Sequence, residues 1–365
     1  MDENRYTPEL RFEEFTEPWK QQELGNIAKI VAGGDVDKRR LRPTGKYPVL
    51  ANALTNDGIV GYYDDSYRIE APAVTVTGRG EVGHAKARFA PFTPVVRLLA
   101  VITKSDVSFI AEAINLTNIA LESTGVPQLT VPQLASVQLR IPDTVEEQQA
   151  IGTFFHKLDS LITLQQRKYE RLQHLKQALL RKMFPKPGEQ VPELRFEGFT
   201  EPWKERKMGE LVDVCNGRDY KHLDKGVIPV YGTGGYMTSV SEALSYSKDA
   251  IGIGRKGTID RPYILRAPFW TVDTLFYAIP KHEVDLDFAF CLFSNINWRS
   301  KDESSGVPSL SKQAIDTTRA KVPGTDEQRI IGTFFRNLDS LIALYQSECE
   351  RLQHLKQAML QRMFV

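Results

Sequence analysis

Two short stretches combine residue types that bind phosphates and nucleobase edges. Residues 74–80 read VTVTGRG and residues 251–257 read IGIGRKG. In each, a β-forming run ends at glycine and then presents a basic side chain. Glycine lets a ligand approach the backbone closely, so Arg79 in the first, and Arg255 and Lys256 in the second, would reach phosphates or a guanine edge. A β-turn carrying a solvated arginine is the plainer alternative, and both readings stand at this point. Further basic candidates are Lys38, Arg39, Arg40 and Arg42 in the run DKRRLR, and Arg218, Lys221 and Lys225 later in the chain. Asn52 and Asn56, with Tyr231, Thr233 and Tyr236, have side chains that either read bases or pack.

Signatures of bond-making chemistry are missing. There is no Pro-Pro dipeptide, which removes the usual catalytic tetrapeptide of amino-methyltransferases. The only Gly-Lys pair, Gly45-Lys46, runs into Tyr47 instead of the Ser or Thr of a phosphate-cradling loop. The only Pro-Asp pair, Pro142-Asp143, has no acidic-x-Lys partner nearby of the kind a common nuclease fold needs. The six histidines show no HExxH spacing, and His174 and His354 fit a solvated helix face better than a metal site. The glycines fit no dinucleotide fingerprint, because no following helix and acidic ribose ligand accompany them. Cys215, Cys291 and Cys349 lack metal-ligand spacing and read as reduced thiols. A non-catalytic chain without its own metal or cofactor is expected.

Composition sets the wider bounds. With 47 Lys and Arg against 46 Asp and Glu, the chain lacks the basic excess of a strong stand-alone nucleic-acid binder. The N-terminal MDENRYTPEL is too charged for a secretory signal, and no apolar run approaches membrane-spanning length, so a cytoplasmic protein is expected.

The elements that must position the basic loops are written twice. ERLQHLKQA occurs at 170–178 and again at 350–358. The match extends to residues 146–185 over 326–365, where 26 of 40 positions are identical. PELRFEEFTEPWK (8–20) returns as PELRFEGFTEPWK (192–204), and STGVPQL (123–129) as SSGVPSL (304–310). Between these blocks the halves diverge, so the chain alternates constant and variable parts. Residues 21–140 and 205–322 read as mixed α/β domains, with short β-rich runs broken by Gly, Pro and Asp turns and followed by apolar helices such as SFIAEAINL (108–116) and DFAFCLF (287–293).

The constant C-terminal blocks read as helices. They are rich in Leu, Gln, Lys, Arg and Glu, follow Pro142 and Pro323, and carry acidic residues in the first turn. About 38 residues at 1.5 Å each make a rod of roughly 57 Å whose leucines need a partner. Heptad counting puts Leu158, Leu161, Gln165, Lys168, Leu172 and Leu175 on one seam and Leu338, Leu341, Tyr345, Glu348, Leu352 and Leu355 on the other. Laid antiparallel, leucine meets leucine at both ends and polar residues meet in the middle, which would fix the register. The other option is that each helix packs on its own globular half. Four segments result: a first variable domain with its leading segment (1–145), a first long helix (146–185), a second variable domain with its leading segment (186–325) and a second long helix (326–365).

This pattern resembles the specificity subunit of type I restriction–modification enzymes. The resemblance spans essentially the whole chain and rests on EEQQAIGTFFHKLD (146–159), DEQRIIGTFFRNLD (326–339), the repeated PELRF segments and the two basic loops. The first loop, Gly78-Arg79-Gly80, is one residue shorter than the second, which weakens the transfer of contacts there. The resemblance implies a mixed α/β (α+β) fold with internal two-fold pseudo-symmetry, in which two target recognition domains are separated by two long antiparallel coiled-coil helices. Each domain would read one part of a split, asymmetric double-stranded DNA site, with the helices setting the unread spacer. Implied partners are two methylation subunits using S-adenosylmethionine and, through them, two restriction subunits using ATP and Mg²⁺. A duplicated coiled-coil scaffold with protein-binding domains is the rival reading.

Overall fold

The computed structural model describes residues 6–119 and 127–365. Residues 123–126 of the STGVPQL block therefore lie outside the described residues. The chain forms two compact units, residues 1–166 with 347–365, and residues 167–346.

The variable regions share one topology despite their unrelated sequences. In the first unit a four-stranded antiparallel sheet has the order Ala28–Ala32, Leu98–Thr103, Ala73–Thr77, Ala85–Arg88. A three-stranded sheet orders Ile59–Tyr63, Tyr47–Leu50 and Thr93–Pro94, the last pairing parallel. The second unit repeats both sheets, as Val212–Asn216, Leu275–Pro280, Ala250–Gly254, Tyr263–Leu265 and as Gly235–Val240, Lys225–Gly232, Trp270–Thr271. The strands Ala73–Thr77 and Ala250–Gly254 are buried along their whole length, and the buried Thr75 and Thr77 hydroxyls donate to the carbonyls of Lys86 and Glu81. Each domain adds one apolar helix, Val107–Leu116 or Leu286–Asn295. Asp106 and Asp285 cap these helices, accepting 2.9 Å hydrogen bonds from the amides of Phe109 and Phe288.

The long helices span Val145–Lys182 and Thr325–Met363. Gln148 and Gln328 tie their first turns back by donating to the carbonyls of Pro142 and Pro323 at 3.1 and 3.0 Å. The repeated glycine of IGTFF lets each helix cross a domain cap: a Cβ on Gly152 would fall on the Asp106 carboxylate, and one on Gly332 on that of Asp285. Phe155 and Phe335 are buried beside these crossings, and Phe154 and Phe334 pack on the same cores.

Within each unit the two helices run antiparallel. In the first unit Asp159 meets Lys356 and Gln166 meets Cys349; in the second, Lys168 lies over the Tyr345 ring and Lys176 meets Asp339. The seam differs in phase from the heptad expectation. Leu158, Gln165, Leu172, Leu338, Tyr345 and Leu352 do face inward, but Leu161, Leu175, Leu341 and Leu355 are 42–48% exposed. Ile162, Tyr169, Ile342 and Cys349, each one residue further on, turn inward in that register. Lys168 is exposed, and Glu348 holds Arg351 at 2.8 Å along its own helix. Two phases, Leu158/Leu161 and Leu158/Ile162, are both apolar in sequence. Burial chooses the second because it also brings Lys176 and Lys356 onto carboxylates supplied by the partner helix and, for Lys356, by Glu112 of the first domain.

The C-terminal end of each helix completes a core that begins elsewhere in the chain. Phe364 stacks on Phe109 at 5.1 Å and meets Trp19 edge-on at 5.8 Å in the first unit. Phe184 does the same with Phe288 at 5.7 Å and Trp203 at 5.5 Å in the second.

Candidate nucleic-acid interface

The basic loops are held by backbone bonds from three directions. In the second domain the amide of Arg255 donates to the Thr274 carbonyl at 2.8 Å, the amide of Gly257 to Pro308 at 2.8 Å, and the amide of Leu310 to Arg255 at 2.9 Å. Gly257 adopts φ +94°, which only glycine takes without strain. In the first domain Leu129 donates to Gly78 at 2.9 Å, Arg79 bridges Gln128, and Gly80 adopts φ +79°. The repeated Val-Pro-x-Leu ends, Pro127–Leu129 and Pro308–Leu310, thus serve as clasps for the two loops. Asp302 shapes the second clasp by accepting from the amides of Ser309 (2.9 Å) and Ser304 (3.0 Å), which hold its carboxyl below the ordinary carboxylate range.

Arg79, Arg255 and Lys256 are exposed at these loops. Arg255 leans its guanidinium over the Phe276 ring at 5.8 Å. Arg218 and Tyr231 join the same sheet end: the amide of Arg218 donates to Thr271 at 2.8 Å, and Val272 donates to Tyr231 at 3.0 Å. Thr233 lies on the adjoining hairpin turn, its hydroxyl 3.9 Å from where a Gly257 Cβ would sit. The structure therefore gathers Arg218, Tyr231, Thr233, Arg255 and Lys256 around segment 271–275. Lys221 is exposed on the loop after Arg218, and Lys225 is exposed at the start of its strand.

Three places in the first domain show what holds the candidate side chains. Asn52 accepts from the Gly78 amide at 2.8 Å and donates to the Val96 carbonyl at 3.2 Å, so its amide braces the loop instead of standing free. Asn56 sits at φ +48° and donates to Ile59 at 3.0 Å, stabilising a left-handed turn. In DKRRLR, Arg40 bonds Asp65 at 2.6 Å and Arg42 pairs with Asp64 at 3.3 Å, whereas Lys38 and Arg39 are exposed with no ion pair among the described residues.

Arg97 is a candidate that the sequence did not reveal. It adopts φ +72°, and its carbonyl packs so closely on Gly78 that a side chain there would collide. A left-handed arginine is set by tertiary contacts, so no local signal marks it. Beside this loop lies a cleft of about 520 Å³ that includes Leu54, Thr77, His84, Lys86 and Arg88 in its wall. Arg88 is tied to Asp57 at 2.8 Å, and burial pulls its guanidinium below its ordinary pKa against the opposing pull of that carboxylate. Among the described residues no group of His, Cys, Asp and Glu could hold a metal ion, and no helix is long and apolar enough to cross a membrane.

Two domains with the same sheet topology, each offering a clasped basic loop at the same sheet end and each buttressed by a long helix, define a duplicated two-domain protein. The family model for the type I restriction modification DNA specificity domain matches residues 16–174 and 200–354, and the chain belongs to that family. A protein of Mycoplasma pneumoniae described as a type I specificity subunit is 30% identical over 143 residues, 38% of this chain and 39% of that relative, so the match spans about two fifths of the relative's length. The type I restriction enzyme MjaVIII specificity subunit of Methanocaldococcus jannaschii is 21% identical over 93% of this chain and 90% of its own. The crystal structure of a type I restriction–modification S subunit from M. genitalium superposes with a TM-score of 0.79 at 18% identity, covering 98% of this chain and 99% of that one. At that identity the likeness concerns the fold.

Proposed function

We propose that this chain chooses the DNA site for a type I restriction–modification complex, each domain reading one half of a bipartite, asymmetric sequence. The observation that carries this reading is the same clasped basic loop in two domains whose sequences otherwise diverge. The long helices would set the unread spacer. The chain would contribute recognition alone, while two methylation subunits use S-adenosylmethionine and two restriction subunits, reached through them, use ATP and Mg²⁺. Support for two docking sites comes from leucines left out of the seam: Leu161, Leu164 and Leu355 are exposed in the first unit, and Leu175, Leu341 and Leu344 in the second. Exposed apolar residues repeated in this way suit a partner interface. Near-neutral net charge fits a protein whose partners share the phosphate contacts.

Exchanging residues 21–140 for the equivalent region of a relative should change one half of the methylated sequence and leave the other intact. A change in both halves would contradict one domain per half-site. Arg255→Ala should cost about 1–3 kcal/mol focused on one base position if Arg255 reads a base, or weaken all sequences alike if it holds a phosphate. Unaltered DNA binding would make Arg255 a solvated turn residue. A protein-binding scaffold would show neither salt-sensitive nor sequence-selective binding to duplex DNA in the assembled complex.

A further inference from the structure

The hairpin beside each basic loop carries apolar side chains that the fold does not bury. In the second domain, strands Lys225–Gly232 and Gly235–Val240 close through the pair Gly232 and Gly235, with Gly235 at φ +107°. Tyr236 and Met237 follow at once and are 64% and 52% exposed, although methionine is among the residue types most often buried. Consecutive strand residues point to opposite faces, so the tip of this ribbon is bare on both sides. Met237 lies against Gly232 so closely that a Cβ there would meet its sulfur, and the Tyr236 hydroxyl is bonded to Ser239 at 3.1 Å. The tip is thus a braced projection. In the first domain the loop joining Tyr47–Leu50 to Ile59–Tyr63 exposes Leu54 by 50%, and its Asn52 is bonded to the amide of Gly78, which precedes Arg79. The sequences differ, yet an exposed apolar group adjoins the basic loop in both domains.

We infer that these hairpin tips, Tyr236 and Met237 in the second domain and Leu54 in the first, are wedges that enter between base pairs next to the phosphates held by the basic loops. This rests on the DNA-reading role proposed above. A cation anchors a phosphate, but a thioether or an isobutyl group finds no hydrogen-bonding partner in a groove. Apart from packing on a thymine methyl, it leaves water by sliding into the base stack, where apolar wedges unstack a step and kink the duplex. A protein surface is a less suitable occupant, because the tip is flanked by Gly232, Gly234 and Gly235 and adjoins the loop that exposes Arg255 and Lys256.

The test uses the full chain assembled with methylation subunits, on duplexes carrying 2-aminopurine at successive positions of the second half-site. The expected result is a several-fold fluorescence rise at one step that disappears in the Tyr236→Ser, Met237→Ser double variant and persists in Met237→Leu. A base taken out of the stack for methylation gives its own signal, which should survive in the double variant and report that the complex is intact. Selective binding with no rise apart from the methylated base, or a rise that the double variant leaves unchanged, overturns the wedge. Loss of all sequence selectivity in the unaltered complex would overturn the recognition role itself, and the wedge with it.

Discussion

Arg11 and Glu147, 136 positions apart, form a two-pronged ion pair at 2.7 and 2.8 Å that fastens the leading segment of the chain to the first turn of a long helix. Trp19 donates its indole N–H to the same carboxylate at 3.2 Å. Arg195, Trp203 and Glu327 repeat the arrangement at 2.7, 2.7 and 3.3 Å. The repeated PELRF…PWK segment is therefore a latch, and its Arg and Trp are spaced to meet one buried glutamate.

Breaking one latch should destabilise its unit strongly. Glu147 is only 1% exposed, so Glu147→Ala leaves the Arg11 guanidinium buried without its counter-charge. A loss of about 3–5 kcal/mol is expected in chemical denaturation followed by circular dichroism. A loss below 1 kcal/mol would show that the latch is ornamental.

Gly152→Ala should also be costly, although alanine favours helices. The added methyl would strike the Asp106 carboxylate that caps the neighbouring helix, so about 1–3 kcal/mol of overpacking should outweigh the roughly 1 kcal/mol gain in propensity. Alanine at the exposed helix position Gln173 provides the contrast, with no clash and little change in melting.

Lys356 gives the first unit a dependence on alkaline pH. Burial lowers its pKa, but Glu112 and Asp159, both 2.7 Å from its ammonium, outweigh burial and raise it above the ordinary value. A lysine pKa raised on folding adds stability that is complete below about pH 10.4 and is lost as pH rises through the folded value. Thermal melts should therefore show the unaltered chain losing stability above pH 10.4. Lys356→Met should start about 3 kcal/mol lower at pH 8 and lose less on going to pH 11.

A fragment of residues 1–190 should form a two-fold dimer. In the full chain Met363 and Phe364 fill the first unit's core, and the repeated Met183 and Phe184 of a second copy offer the same side chains. With methylation subunits bound, such a dimer should select a split palindrome, because site symmetry follows protein symmetry. Sedimentation giving a folded monomer, or methylation mapping giving an asymmetric target, would refute this.

The sequence by itself determined the duplication, the two long helices, the mixed character of the variable regions and the family. These properties are carried by identity between repeats and by local helix and strand preference, both of which are written along the chain. Tertiary structure alone decided which phase of an ambiguous leucine pattern forms the seam, because Leu161 and Ile162 are equally apolar and only the surroundings choose between them. It decided that Asn52 and Asn56 serve the backbone, since a free amide and a bonded one look alike in sequence. It also gave two unrelated stretches the same sheets and placed Arg97, Leu54 and Met237 beside the basic loops. Pairing between strands and exposure at a hairpin tip depend on residues distant in the chain, and no local pattern records them.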